Sequence, residues 1–392
     1  MRDPASRRRV LLVTRNMPPL LGGMERLNWN MAHRLQETAD VRVVAPQGSA
    51  AMAPQLAVRE VPLAPLWNFL WQAGRVAEQE AKSWRPDVVL AGSGLTAPLA
   101  LRAARAGGAK AVAYVHGLDV AVRNPVYGAL WLPALRRMDR LIANSTATAA
   151  LCGAIGIKPD RVGIVHPGVE LPSASPDDSA IAAFRAAHEL GDRPLLLSVG
   201  RLTTRKGLLE FVMQALPRIV EAHPDVLLVV VGEAPSHSLH ASVQTPDSIR
   251  AAAQTLGLAH HLRFIGVETD YRRLGVIYRA AQVHVFPVRE LRGDPEGFGM
   301  VAVEAAAHGL PTVAFATGGV VDAVSEGVSG RLVAPGDYRG LADAVLDTLR
   351  PPQDWPRQCT GFAARLAWDE FGRLIASQLE IAAAPATKEL PA

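Results

Sequence analysis

The chain contains 392 residues, which is long enough for two domains of ordinary size. Hydrophobic residues make up 49% of it and charged residues 20%, a balance that excludes an intrinsically disordered protein. The formal net charge of +4 is too small to indicate a nucleic-acid-binding protein, although it suits an anionic ligand. The two cysteines, Cys152 and Cys359, form neither a disulfide framework nor a zinc motif, so we expect a protein of the reducing cytoplasm.

The N-terminus carries a basic cluster that is followed by only about five apolar residues. That run is too short for a signal peptide or a membrane span, and no other stretch reaches the roughly 18 apolar residues that a span requires. We therefore expect a protein that is soluble or bound peripherally to a membrane surface.

In the first half of the chain, short apolar runs alternate with helical segments. The runs that predict strands are 10–14, 41–45, 87–91, 111–115, 141–143 and 162–165. Gly22 and Gly23 lie between the first of these strands and a predicted helix, so they are either a turn that faces a ligand or a plain tight turn. His116 follows a later strand at its carboxyl end, where catalytic groups gather in such sheets, although a structural histidine is the alternative.

Two segments of this half combine aromatic and apolar residues. Residues 63–71 include two tryptophans, and residues 124–140 combine aromatic side chains with arginines. Each segment is either a helix that packs on the sheet or a surface that meets lipid or a lipid-linked substrate. Pro133 weakens the prediction of an amphipathic helix in the second segment.

A stretch rich in Ser, Asp and Pro separates the two halves of the chain, and strand, turn and helix then alternate again. The strands predicted after it are 195–199, 226–231, 262–265, 283–286 and 312–315. Each half therefore predicts a doubly wound parallel sheet, which makes the chain an α/β protein. The predicted organisation is a first domain, a linker, a second domain and a C-terminal segment, at residues 1–172, 173–194, 195–354 and 355–392.

The most informative stretch is DPEGFGMVAVEAAAHGLPTVAFATGG, residues 294–319. Glu296 and Glu304 stand eight positions apart, and between them a glycine-containing loop enters a helix predicted over 300–308. Such a loop turns backbone N–H groups outward, and together with the helix dipole these form an anion site. The carboxylates suit the hydroxyl groups of a ribose or a sugar, so the stretch predicts a nucleotide sugar as the ligand. A solvated surface carboxylate is the alternative for either glutamate taken alone.

A second motif, GRLTTRKG, follows the predicted strand 195–199. Arg201 and Lys206 flank its loop, and two cations beside a helix start can neutralise a leaving diphosphate without a metal. The sequence contains neither GxxxxGK[ST] nor Asp-x-Asp, so it lacks the P-loop and the usual carboxylate pair for a catalytic divalent ion. Solvated surface cations are the alternative for this pair.

Together, the motifs resemble glycosyltransferase family 4, the retaining group with the GT-B fold. The matching strings are LLGGMERLNWNMAHRL, YVHGLDV, IANSTAT, VHPGVE, SVGRLTTRKG, VVVGEA and EGFGMVAVEAAAHGLPTVAFATGG. The resemblance implies two Rossmann-like domains that face each other across a cleft, the first on the acceptor side and the second binding the nucleotide sugar. It also implies a C-terminal helix that crosses back to the first domain.

The resemblance further implies a role for each motif residue. The implied donor-binding set is Gly22, Gly23, Arg201, Lys206, Glu296, Gly297, Phe298, Gly299, Met300 and Glu304. The implied catalytic set is His116, Arg201, Lys206 and Glu296. The two cations would hold the diphosphate, Glu296 would accept hydroxyls of the donor sugar, and Glu304 would accept those of the ribose. His116 would lie beside the reacting sugar.

The reaction that the resemblance implies is retaining transfer of a hexose from a nucleotide-diphosphate sugar to an acceptor hydroxyl. Bacterial mannosyltransferases and enzymes that build lipopolysaccharide, exopolysaccharide or glycolipid are the most similar members, and the variable loop 289–294 leaves the sugar open. The expected partners are the donor and a sugar or lipid-linked acceptor, with no metal, no other cofactor and no nucleic acid. The expected location is the cytoplasm or the inner face of its membrane. The alternatives are a nucleotide-sugar epimerase or hydrolase of the same fold, and a non-catalytic nucleotide-sugar-binding protein.

Overall fold

A computed structural model describes five ranges of the chain, residues 7–122, 124–173, 178–234, 243–350 and 354–383. The chain divides into two compact units, one formed by Met1–Gly168 with Trp368–Ala392 and the other by Val169–Ala367. Part of the predicted linker, 174–177, and the predicted tail, 384–392, lie outside the described residues.

The first unit is built on seven parallel strands, in the order β3-β2-β1-β4-β5-β6-β7. These strands are β1 (Arg8–Val13), β2 (Ala39–Pro46), β3 (Ala57–Val61), β4 (Val88–Ala91), β5 (Lys110–Val115), β6 (Arg140–Ala143) and β7 (Val162–Ile164). Its helices before the second unit are α1 (Gly23–Thr38), α2 (Ser49–Met52), α3 (Leu66–Trp84), α4 (Ala97–Gly107), α5 (Gly117–Ala121), α6 (Pro125–Arg136) and α7 (Thr146–Ala154). The central strand β4 is fully buried, as expected for a parallel sheet covered on both faces. The edge strand β3 was not predicted, because Arg59 and Glu60 interrupt its apolar pattern.

The second unit is built on six parallel strands, in the order β10-β9-β8-β11-β12-β13. These strands are β8 (Leu195–Val199), β9 (Leu227–Val231), β10 (Leu262–Gly266), β11 (Val283–Phe286), β12 (Thr312–Phe315) and β13 (Gly330–Val333). Its helices are α8 (Asp178–Ala187), α9 (Leu208–Gln214), α10 (Leu216–Ala222), α11 (Pro246–Thr255), α12 (Tyr271–Ala280), α13 (Met300–Ala307), α14 (Val320–Ala323), α15 (Tyr338–Leu349) and α16 (Trp355–Ala364). In both units the winding of the sheet reverses beside its first strand, between β1 and β4 and between β8 and β11. Sheets of this kind bind ligands at that reversal, the topological switch point.

The chain returns to the first unit through one more helix, α17 (Trp368–Ala383), which packs against α1 and β5. The buried stripe of this helix includes Trp368, Phe371, Ile375 and Leu379. The prediction placed the start of the C-terminal segment at residue 355, but α16 belongs to the second unit. There Trp355 and Cys359 pack into the same apolar cluster as residues of α13.

The boundary between the units also differs from the prediction, because it falls between Gly168 and Val169 instead of after residue 172. Residues 178–187, predicted as part of a linker, form α8, which packs against α12 of the second unit. Phe184 contacts the apolar cluster there. Composition predicted a linker between the domains in this segment. The apolar face of α8 instead packs on the second unit, so the helix belongs to that unit.

The predicted fold class is confirmed: the chain has two α/β domains, each with a doubly wound parallel sheet of the Rossmann-like kind. Among the described helices, none has both the length and the apolar character that crossing a membrane requires.

Candidate functional site

The predicted donor motifs meet at the switch point of the second sheet. The loop after β8 carries Arg205 and Lys206, and the loop after β11 carries Asp294 and Glu296. Because β8 and β11 are adjacent parallel strands, their carboxyl ends lie at the same edge of the sheet. Strand order thus brings together two loops that are about 90 positions apart in the sequence.

Glu296 is the centre of a cluster of charges in these loops. Its Oε2 accepts a hydrogen bond from Nζ of Lys206 at 2.8 Å and another from the guanidinium of Arg205. Arg205 also contacts Asp294, with 3.2 Å between Nε and Oδ1. The side chains of Glu296, Arg205 and Lys206 are only 11%, 14% and 18% exposed, so water screens their charges weakly.

The burial and the charges act on the pKa values in opposite directions. Burial by itself would raise the pKa of Glu296, but the charges of Lys206 and Arg205 outweigh it and hold that pKa below its usual value. Burial lowers the pKa of Lys206, and the attraction of Glu296 opposes this shift. The carboxylate is therefore ionised at neutral pH and engaged with two cations.

Backbone contacts fix the loop that carries the cations. Thr203 caps the 3-10 turn Thr204–Lys206, with its Oγ1 accepting a hydrogen bond from the backbone N–H of Lys206. The backbone N–H of Arg289, in the loop after β11, donates to the carbonyl of Arg205 at 2.8 Å. The ammonium of Lys206 lies 4.6 Å from the centre of the Phe286 ring, a cation–π distance.

The glycines after β12 fix the loop that carries Glu296. The backbone N–H of Gly319 donates to the carbonyl of Glu296 at 2.9 Å. A Cβ atom on Gly319 would lie 2.1 Å from the carbonyl oxygen of Gly297, so no larger residue fits without moving backbone. Gly299, with φ +97°, leads into α13, which starts at Met300 as predicted. The side chain of Phe298 is buried in the core, consistent with a role for its backbone alone.

The remaining predicted residues of this unit are Arg201 and Glu304. Arg201 is exposed, forms no ion pair with a residue in the described ranges, and contributes to the electrostatic field at Lys206 and Glu296. Glu304 lies on α13, where its Oε2 accepts a hydrogen bond from the hydroxyl of Tyr278 at 3.1 Å. An exposed cation beside a buried cation cluster and a helix N-terminus is suited to an anionic ligand.

The predicted residues of the first unit lie at the carboxyl ends of β1 and β5. Gly22 is the N-cap of α1, and a Cβ atom there would lie 2.4 Å from Oε2 of Glu25. His116 is the N-cap of α5, and its Nδ1 lies 3.3 Å from Nδ2 of Asn144. Burial lowers the pKa of His116, while Asp119 and Glu25 oppose that shift.

The buried Nε2 of His116 has no hydrogen-bond partner among the described residues. An imidazole that is neutral at physiological pH, with one ring nitrogen unpaired, can exchange a hydrogen bond with a ligand hydroxyl.

Comparison with known proteins identifies the family. Residues 181–360 match the model for glycosyl transferases group 1, and residues 21–172 match the model for Glycosyltransferase Family 4. A GDP-mannose-dependent alpha-(1-6)-phosphatidylinositol monomannoside mannosyltransferase of Mycolicibacterium smegmatis is 30% identical, over 88% of this chain and 90% of its own length. The chain belongs to glycosyltransferase family 4.

A second curated relative is also a glycosyltransferase. D-inositol 3-phosphate glycosyltransferase 2 of Catenulispora acidiphila is 37% identical to this glycosyltransferase, over 59% of this chain and 53% of the relative. The crystal structure of Anabaena Alr3699/HepE in complex with UDP-glucose has a TM-score of 0.76 at 20% identity, and the match covers 95% of this chain and 99% of that chain. This likeness confirms the GT-B fold.

The sequence analysis missed three residues that contact predicted site residues. Arg205 lies between the two predicted cations in the sequence. Its position next to Lys206 was the only local feature that could have identified it as part of the cation cluster. Asn144, the contact of His116, follows β6 at the same edge of the sheet that carries His116, which could have marked it. Tyr278 lies on α12, and nothing in the sequence distinguishes it from an ordinary core aromatic.

Replacing Glu296 with Gln is expected to destabilise the second unit near neutral pH and to have little effect in acid. The pKa of Glu296 is lowered in the folded chain, so its contribution is present above the unfolded pKa of about 4.3 and is lost as pH falls through the folded value. Breaking a buried ion pair costs about 3 kcal/mol. Urea unfolding should therefore give a difference of that size at pH 7 that shrinks toward pH 3.

The matched control is Glu37→Gln, which removes a 60% exposed carboxylate from a surface pair with Arg34. This control should change the free energy of unfolding by less than about 0.5 kcal/mol. A difference for Glu296→Gln that stays the same across the pH range would contradict the electrostatic assignment.

Proposed function

We propose that this glycosyltransferase transfers a hexose from a nucleotide-diphosphate sugar to an acceptor hydroxyl, with retention of the anomeric configuration and without a catalytic metal. The observation that carries the proposal is the cluster of charges at the switch point between β8 and β11. It combines cations that suit a diphosphate with a carboxylate that suits sugar hydroxyls.

The balance of charge supports a diphosphate as the bound anion. Arg201, Arg205 and Lys206 contribute three positive charges, whereas Asp294 and Glu296 contribute two negative ones, which leaves one positive charge in excess. In the reaction, negative charge develops on the departing diphosphate. Fixed cations in a weakly screened environment stabilise that charge. In other enzymes a divalent ion has this role.

The state of Glu296 supports a mechanism that uses no side-chain nucleophile. A carboxylate whose oxygen is shared by two cations is weakly basic and is a poor nucleophile. Its free acceptor capacity is better suited to the hydroxyl groups of the donor sugar. We therefore propose that the acceptor attacks from the face that the diphosphate leaves, and that a leaving-group oxygen takes the acceptor proton. A role for His116 beside the reacting sugar remains a prediction.

The relatives supply the candidates for donor and acceptor. The Mycolicibacterium smegmatis relative uses GDP-mannose and acts on phosphatidylinositol monomannoside. That relative covers most of the chain, so we propose GDP-mannose as the first donor to test and a lipid-linked glycan as the acceptor class. UDP-glucose, which the Anabaena protein binds, is the second donor to test.

The proposal is tested by a donor screen followed by product analysis. The cognate nucleotide sugar should raise the melting temperature of the chain, because a ligand that binds only the folded state stabilises it. With an acceptor, the product should keep the anomeric configuration of the donor, and EDTA should not change the rate. Release of free sugar at the same rate with and without an acceptor would indicate a hydrolase, and conversion to another nucleotide sugar would indicate an epimerase. Donor binding without turnover on any acceptor would indicate a binding protein.

Replacing Lys206 with Ala is expected to lower kcat about 100-fold or more, because one fixed charge opposite the leaving diphosphate is lost. The matched control is Lys82→Ala, which removes an ion-paired, 59% exposed ammonium from α3 of the first unit. Steady-state kinetics of both variants measure kcat and so test the role of Lys206. Turnover by Lys206→Ala equal to that of the wild type would refute the role assigned to this lysine.

Exposed aromatic side chains support association with a membrane surface. Trp67 and Trp71 are 71% and 57% exposed and lie one turn apart on α3, so they share a face of that helix. The guanidinium of Arg75, one turn further along, lies 4.8 Å from the centre of the Trp71 ring. Tryptophan favours the membrane–water interface, and arginine near it is attracted to anionic headgroups.

The neighbouring helices extend this surface. Helix α3 packs against α4, which exposes Arg102 and Arg105, and α4 packs against α6. Helix α6 exposes Val126 and Leu130, which also lie one turn apart. Exposed apolar side chains and arginines on neighbouring helices support the proposal that this part of the unit binds a lipid surface.

Replacing both Trp67 and Trp71 with Ser is expected to weaken binding to vesicles that contain anionic phosphatidylglycerol by about tenfold or more, because the buried apolar area is lost. Co-sedimentation with the vesicles measures the effect. The control Met213→Ser removes a 49% exposed apolar side chain of the second unit and should bind like the wild type. Equal binding by the double variant and the wild type would exclude α3 as the docking helix.

A further inference from the structure

Tyr278 lies where it can govern the orientation of Glu304. This tyrosine projects from α12, its side chain is 1% exposed, and its hydroxyl donates to Oε2 of Glu304 at 3.1 Å. We propose that Tyr278 is a positioning residue, which holds the Glu304 carboxylate in the orientation that accepts the ribose hydroxyls of the donor. The proposal rests on the proposed function and on the ribose role that the family resemblance implies for Glu304.

The surroundings of Tyr278 prevent its ring from moving. The ring of His308 stacks on it, with 5.5 Å between the centres and 11° between the planes, and His284 meets it edge-on at 6.3 Å. Gly275 makes room for this stack, because a Cβ atom there would lie 2.7 Å from Cε1 of His308. The packed rings therefore fix the position of the tyrosine hydroxyl that contacts Glu304.

The two histidines around Tyr278 are neutral at physiological pH. Burial lowers the pKa of His308 to about 4 and that of His284 to about 3. The charge of Arg279 contributes to the lowered pKa of His308, where Glu304 opposes it, and the charge of Lys206 contributes to the lowered pKa of His284. Neither imidazole then carries a positive charge that would compete with the Tyr278 hydroxyl for the carboxylate of Glu304.

The same run of rings continues to the diphosphate end of the site. His284 stacks on Phe286 with 5.7 Å between the ring centres, and the ammonium of Lys206 lies 4.6 Å from the centre of the Phe286 ring. The carboxylate proposed for the ribose and the ammonium proposed for the diphosphate thus rest on one packed series of side chains. Loss of the Tyr278 hydroxyl should disturb Glu304 while it leaves the Lys206 end in place.

The hydrogen bond matters because it restricts the rotation of a carboxylate on a helix. A hydroxyl that donates to a charged oxygen forms a stronger bond than one that donates to a neutral acceptor. With Oε2 held by Tyr278, the orientation of the carboxylate is set before the ligand arrives, and a carboxylate can accept several hydrogen bonds, including those from ligand hydroxyl groups. Binding then does not have to restrict this side chain at the cost of affinity.

The test compares Tyr278→Phe with the wild type, using UDP, GDP and the 2′,3′-dideoxy form of each nucleotide. The variant keeps the ring and loses only the hydroxyl, so the packing is preserved. We expect about tenfold weaker binding of the nucleotide that contains ribose, the loss typical for a hydrogen bond to a charged group. Binding of the dideoxy form by calorimetry should change less than about twofold. The control Tyr338→Phe, on α15 of the same unit, should bind both forms like the wild type.

A second arm uses the background of Glu304→Ala. If Tyr278 acts through Glu304, adding Tyr278→Phe to that variant should cause no further loss of affinity. Equal losses for the ribose and dideoxy forms, or a loss that persists without Glu304, would overturn the positioning role and leave the donor site intact. A wild-type chain that binds neither UDP nor GDP would instead overturn the proposed donor site together with this inference.

Discussion

The ion pair between Glu296 and Lys206 is the interaction on which the proposed donor site of the second unit depends. It joins the loop after β8 to the loop after β11, and Arg205 reinforces it from the same side. Buried charges are costly unless they are paired, so neither loop can hold its charged residue in this position without the other. The pair therefore has two effects. It connects the two loops at the switch point of the sheet, and it holds charged groups where a ligand can contact them.

The two predicted carboxylates are supported in different ways. Glu296 lies in a loop and is held by cations and by the backbone of Gly319, so its position depends on charge and on a close approach that only glycine allows. Glu304 lies on a helix and is contacted by a tyrosine hydroxyl that neutral rings surround. One end of the site is thus organised by electrostatics and the other by packing. Such a division suits a ligand with a charged centre and an uncharged polyol at its end.

The first unit repeats the plan of the second with different side chains. A pair of glycines follows its first strand, as the cation loop follows β8, and His116 follows β5 at the same edge of the sheet. Its imidazole is held neutral by burial, which suits an uncharged hydroxyl better than a phosphate. The two units therefore present different chemistry on the same topology.

Local patterns in the amino-acid order were enough to predict the α/β class, the family, and several strands to the residue, among them Leu195–Val199 and Val283–Phe286. Apolar runs and glycine turns are local features, so they can be recognised in the sequence without knowledge of the fold. The partner of Arg205, the support of Glu304 by Tyr278, and the assignment of α8 and α16 to the second unit came only from the folded chain. Each of these depends on which strands and helices become neighbours. That choice is made by packing between segments far apart in the chain, which no local pattern contains.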